Sequence, residues 1–74
     1  MQDVKDPFVP GSVVAATLAP ATLSQFEPML RRLLAGPQLF VKLADGRYTP
    51  RGCALGLAHC FEFSELEHAE ARSV

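Results

Sequence analysis

The side chains of widest chemical reach in this sequence are two cysteines, Cys53 and Cys60, and two histidines, His59 and His68. A closed zinc site is built from C-x2-C or H-x3-H pairs, whose spacing lets two donors reach one ion, and neither spacing occurs here. On a single helix, Cys53 and Cys60 would stand roughly 10 Å apart along the axis, beyond the roughly 7 Å that a disulfide spans. A cysteine nucleophile needs a base within reach, yet His59 would project about 100° around a helix from its neighbour Cys60. The expectation is two reduced thiols acting as small core residues and a solvated His68. The chain also has no glycine-rich phosphate loop, no serine elbow and no evident pair of catalytic carboxylates. The reading is therefore of a protein that is not an enzyme, with no catalytic residue, no metal ligand and no cofactor.

The charged residues are more informative. Arg31, Arg32, Lys42, Arg47 and Arg51 fall in one central segment offset only by Asp45, whereas Glu62, Glu65, Glu67 and Glu70 gather near the C-terminus. The chain is polar from end to end although its net charge is only −1. Such a basic centre can meet phosphates, or it can meet carboxylates of the same or a neighbouring molecule.

The run LRRLLAGPQLFVKLADGRYTPRG, residues 30–52, resembles the second half of a winged-helix DNA-binding domain, in which a recognition helix leads into a two-stranded wing. Leu30 to Ala35 would hold the place of that helix, Asp45-Gly46-Arg47 the wing tip, and Thr49-Pro50-Arg51-Gly52 the step into the next helix. The resemblance covers about a third of the chain and implies nucleic-acid binding through the basic segment. Two features depart from that family: the chain is slightly acidic, and Glu27 and Pro28 stand near the helix end that would enter the groove.

These residues must be carried by local elements. Residues 1–11, with Pro7, Pro10 and Gly11, read as an extended arm that Phe8 and Val9 could pin to the body. The apolar octet Ser12 to Ala19 fits a buried strand or two turns of helix, and periodicity does not separate the two. From Leu23, the positions Leu23, Phe26, Leu30, Leu33 and Leu34 follow three-four spacing and predict a helix that stops at Ala35-Gly36-Pro37. Its start is either a Ser24–Glu27 capping box or Pro28 at the first helical position. Gln38 to Ala44 alternates as a strand, and Asp45-Gly46 favours a two-residue type I′ turn. That loop would pair Leu43 with Tyr48, burying Leu39, Val41, Leu43 and Tyr48 and leaving Phe40 and Lys42 on the second face. Thr49-Pro50 predicts the start of a further helix running to about Phe63, and Ser64–Glu67 that of a short acidic helix.

The predicted fold class is α+β: a single domain with an extended arm at 1–11, a helix–β-hairpin–helix core at 12–63 and an acidic helix at 64–74. With 74 residues, 49% of them hydrophobic and 20% charged, the chain belongs among globular proteins. Conformational entropy of about 1.5 kcal/mol per residue nearly cancels what so short a chain can bury, so outside help is expected, most simply from another copy of itself. The opening Met-Gln-Asp-Val-Lys-Asp-Pro lacks the basic-then-apolar order of a leader, and no apolar run approaches about 18 residues, so the expectation is a cytoplasmic protein without a membrane partner. The function expected by elimination is a small protein-interaction module, a regulator, inhibitor or accessory subunit. Phe40, Lys42, Arg47, Arg31, Arg32 and Arg51 are its expected partner-binding residues, and DNA binding through 31–51 is the alternative.

Overall fold

The computed structural model describes residues 5–51 and 59–72. The octet left open between helix and strand is a strand, β1 (Val13–Leu18). It lies inside the sheet and pairs on both sides, with Val14, Ala16 and Leu18 facing the core and Val13, Ala15 and Thr17 on the other face. Two short helices follow, α1 (Pro20–Leu23) and α2 (Pro28–Leu34), then the strands β2 (Gln38–Lys42) and β3 (Tyr48–Pro50). A 3-10 turn at Phe63–Glu65 leads into the last strand, β4 (Leu66–Arg72). The sheet is antiparallel, with spatial order β3-β2-β1-β4. This is the Greek-key order, in which the last strand returns beside the first.

Of the two starts the sequence offers for the helix ending at Ala35, the structure takes Pro28, because proline disfavours helical backbone in the residue before it; α1 is a separate short turn that precedes it. Glu27 is extended, with ψ 161°, and Pro28 takes the first helical position. Ser24 does not cap; its hydroxyl donates to the carbonyl of Ala21 at 2.8 Å. The stop at Ala35-Gly36-Pro37 holds, with Gly36 at φ 77°.

The hairpin is present, but its register is one residue from the expected one. Leu43 N–H donates to Arg47 O at 2.7 Å and Gly46 N–H to Leu43 O at 3.0 Å, so the loop is Ala44, Asp45 and Gly46. A type I′ turn needs positive φ at both central residues, whereas here Gly46 (φ 94°) has it and Asp45 does not. The Asp45 carboxylate instead accepts from Arg47 N–H at 3.0 Å, bracing the longer loop. Lys42 therefore pairs with Tyr48 and Phe40 with Pro50. A slip of one residue exchanges the two faces of a strand. Phe40 consequently lies in the core, and Leu39 lies on the other side.

The two C-terminal helices of the predicted architecture are not found among the described residues. Thr49 and Pro50 pair with Val41 and Phe40, and Phe61 bridges Tyr48 on the outer side of β3. Proline is tolerated there because it sits near the outer side of the sheet. The rest of that expected helix, with Cys53, Ala54, Gly56 and Leu57, lies outside the described residues. At the expected acidic helix, Glu62 rather than Ser64 is the cap: it exchanges hydrogen bonds with Glu65, whose carboxylate accepts from Glu62 N–H at 2.8 Å. One turn later Leu66 is already extended, because pairing of β4 with β1 overrides the helix preference of a stretch rich in leucine, alanine, glutamate and arginine.

The helices, the arm and the 61–65 segment all pack on one face of the sheet. Its core holds Val14, Ala16 and Leu18 of β1 with Leu34, Phe40, Tyr48, Phe61 and Leu66, and Phe8, Leu23, Phe26, Phe63 and Ala69 close over it. The aromatic rings meet edge to face, Phe40 on Phe61 at 6.2 Å and Phe26 on Phe61 at 6.1 Å. Such contacts add about 0.5–1.5 kcal/mol each to the area they bury. The molecule measures 33 × 31 × 20 Å, its short dimension being that of two layers.

Candidate functional site

The structure disperses the basic segment. Lys42 is on the core face, its side chain only 11% exposed, with Nζ 3.0 Å from the Asp6 carboxylate and 5.8 Å from the centre of the Tyr48 ring. Arg47 is exposed and is held to Asp45 at 2.8 Å. Arg31 and Arg32 are exposed on the last turn of α2. Arg51 follows β3, where its N–H donates to Leu39 O at 2.7 Å, and is exposed. Phe40, expected on an exposed second face, is fully buried. The winged-helix resemblance is met by a helix followed by a hairpin, but its expected helix start at Thr49-Pro50 lies in β3.

Lys42 belongs to a cluster whose acid the sequence reading left in a featureless arm. Asp6 accepts the Tyr48 hydroxyl at 2.7 Å on both oxygens, and the Phe8 N–H at 2.9 Å. Lys42 Nζ also donates to Phe8 O. Burial raises the Asp6 carboxyl, but the hydrogen bonds from Tyr48, the Phe8 amide and Lys42, with the charge of Lys42, outweigh it and hold it below its ordinary 3.8. Burial, followed by the hydrogen bond to Asp6 and its charge, pushes the Tyr48 phenol up. Each polar group has a partner within the cluster, and its effect is to fasten the arm across the hairpin. A cavity of about 520 Å³ opens beside it, bounded by Asp6, Glu62, Phe63, Ser64, Leu66, His68 and Ala69.

The opposite face of the sheet carries the more distinctive surface. Strand pairing places Leu39 opposite Ala15 and Ala15 opposite Glu70, while Arg51 bonds to Leu39 from the other side. These residues form one row across the sheet, in the order Arg51, Leu39, Ala15, Glu70. The next row on the same face is Thr49, Val41, Val13, Arg72. A groove of about 400 Å³ lies between Arg51 and Arg72, lined by Val13, Ala15 and Leu39 of the sheet together with Pro37 and Gln38. A second depression of about 260 Å³ continues it over Ala15 and Thr17 to Glu70. Leu39 is 40% exposed.

Along β4 the pairing with β1 shifts between Ala15 and Thr17, and His68 adopts φ 56°. This bulge twists the outer edge of the strand, a common device against indiscriminate edge pairing.

Among the described residues, no group of His, Cys, Asp and Glu side chains is arranged to hold a metal ion. Cys60 is a free, half-buried thiol and His59 packs edge-on against Phe26 at 5.6 Å. No described helix is long and apolar enough to cross a membrane. Compared with protein-family models, curated proteins and solved structures, this chain matches none at a significant level.

Of the residues on the outer sheet face, sequence reasoning named Arg51 and missed Leu39, Ala15, Glu70 and Arg72 as site residues. The only signal for them was the pairing of β4 with β1, which has no local signature in a segment reading as Leu-Glu-His-Ala-Glu-Ala-Arg.

Proposed function

We propose that this chain is a small non-catalytic protein-interaction module, a regulator, inhibitor or accessory subunit, and that it binds through the outer face of its sheet. The observation that supports the reading is the row Arg51, Leu39, Ala15, Glu70, an apolar centre between opposite charges in which Arg51, Leu39 and Glu70 are exposed. A sheet buried on one side only commonly presents polar residues on the other. A partly exposed leucine beside a groove floored by Ala15 is instead the form of a docking surface, with charged ends that set orientation. Arg51 belonged to the expected partner-binding set; Lys42 and Arg47 are engaged by Asp6 and Asp45, and Phe40 serves the core.

The test compares the native chain with Leu39→Asp and Arg51→Glu, both exposed changes, for the proteins each retains from cell extract and for binding to duplex DNA. The expected result is a protein, or the chain itself, held by the native form and lost from both variants, with negligible DNA binding. Retention unaffected by either change would overturn the reading. So would duplex binding tighter than about 1 μM at about 150 mM salt that falls when Arg31 and Arg32 are replaced together, since non-specific binding is usually weaker. That outcome would favour the nucleic-acid alternative.

A further inference from the structure

We infer that the partner on this face is a second copy of the chain, packed sheet against sheet about a two-fold axis parallel to the strands. The inference rests on the interaction-module reading and adds the identity of the partner.

The argument is one of self-complementarity. A two-fold axis along the strands, lying between two facing sheets, reverses strand order, so that β3 of one copy meets β4 of the other at the same height. The row Arg51, Leu39, Ala15, Glu70 then lies over its own reverse. Arg51 faces the partner's Glu70 and Glu70 the partner's Arg51, giving two equivalent ion pairs related by the axis. Between them, Leu39 of each copy stands over Ala15 of the other, a large side chain over a small one. The depression above Ala15 is therefore where the partner's leucine is received. The second row sets Val41 over Val13 and brings no like charges together, since Arg72 falls at the end held by Thr49, which is buried with its hydroxyl donating to His59 O at 3.3 Å. A two-fold axis across the strands would instead set β3 over β3 and lose both ion pairs.

Charge occupancy in the single chain agrees with this arrangement. Among the described residues Arg51 has no ion pair, and the Arg72–Glu70 contact is a loose 3.7 Å between side chains more than half exposed. Glu70 is therefore free to turn to an arginine across the interface. Shape agrees as well, since a second copy would cover a broad side of the 33 × 31 × 20 Å molecule. Facing sheets pack about 10 Å apart, close enough for Leu39 to reach the partner's Ala15. Four strands spaced about 4.8 Å make a face near the small end of stable interfaces, so the dimer should be reversible and concentration-dependent.

Sedimentation equilibrium or light scattering on the full chain, from about 5 to 500 μM, tests the inference. The native chain, of 8.0 kDa, should rise with concentration to twice its mass. Leu39→Asp should abolish the rise, and Arg51→Glu or Glu70→Arg alone should weaken association by about tenfold or more, because each breaks both symmetry-related pairs and sets like charges together. The double exchange Arg51→Glu with Glu70→Arg should restore association to within about threefold of native, a rescue that misfolding of a variant cannot produce. A native chain that stays monomeric to about 500 μM overturns the inference. Association that survives Leu39→Asp, or charge variants that the double exchange does not rescue, overturns it equally. A monomer whose outer face still retains a different protein would leave the interaction-module reading intact, whereas a monomer that retains nothing ends both.

Discussion

Both carboxylate oxygens of Asp6 lie 2.7 Å from the phenolic oxygen of Tyr48, joining an N-terminal arm to a strand in the middle of the chain. Tyr48 is fully buried, and its hydroxyl is satisfied by that acid, which Lys42 also holds. Through this contact the arm closes over the hairpin, with Gly11 N–H donating to Lys42 O at 2.8 Å and Phe8 resting edge-on against Phe63 at 6.2 Å.

Removing the acid should release the arm before it unfolds the sheet. Asp6→Ala leaves a buried phenol and a nearly buried ammonium without their shared acceptor, a loss of about 1–3 kcal/mol. The measurement is a denaturant midpoint paired with amide exchange. Faster exchange at Gly11 and Lys42 while β1 stays protected is the expected pattern; uniform loss of protection would show that the arm is not a separate unit.

Stability should fall on both sides of a broad neutral plateau. The Asp6 carboxyl is depressed in the folded chain, so its contribution is present above its ordinary 3.8 and is lost as the pH falls through the lower folded value. The Tyr48 phenol is raised from its ordinary 10.0, so the folded chain binds more protons there and stability declines as the pH climbs past 10. In a series of thermal midpoints against pH, Asp6→Asn should flatten the acid limb and Tyr48→Phe the alkaline one. An unchanged alkaline limb in Tyr48→Phe would show that another group controls it.

Adjacent residues of β2 should differ sharply. Phe40→Ala opens a cavity in the core and should cost about 3–5 kcal/mol, whereas Leu39→Ala on the outer face of a single chain should stay within about 0.5 kcal/mol. The comparison, made at a concentration where the chain is monomeric, reports the hairpin register directly. The register with Leu43 opposite Tyr48 would reverse the order.

The loop makes its own prediction. Gly46 has φ 94°, where a side chain is strained even though open space surrounds the position. Gly46→Ala should therefore cost about 1–2 kcal/mol with no steric clash, and Gly46→Asn less, since asparagine tolerates left-handed backbone. Equal midpoints for the three chains in urea would contradict this loop geometry.

The local sequence of this protein determined those features whose cause lies within a few residues. Pro28 sets the start of α2, Gly36 and Pro37 its end, and Asp45-Gly46 the existence of a turn, because backbone sterics and short-range hydrogen bonds act wherever the chain goes. Tertiary structure decided what local preference leaves balanced, as around Val13, and overrode it where it points to helix, as at Leu66–Arg72. The octet around Val13 became a strand because β2 and β4 pair with it on both sides, and Leu66–Arg72 became a strand because β1 offered it a ladder. Neither cause is visible within its own segment. The hairpin register was decided by burial: placing Phe40 and Tyr48 on the side covered by Leu34, Phe61 and Phe63 removes more apolar surface from water than a two-residue loop would save in strain. The row from Arg51 to Glu70 arises the same way, since residues distant in the chain become neighbours only when strands pair.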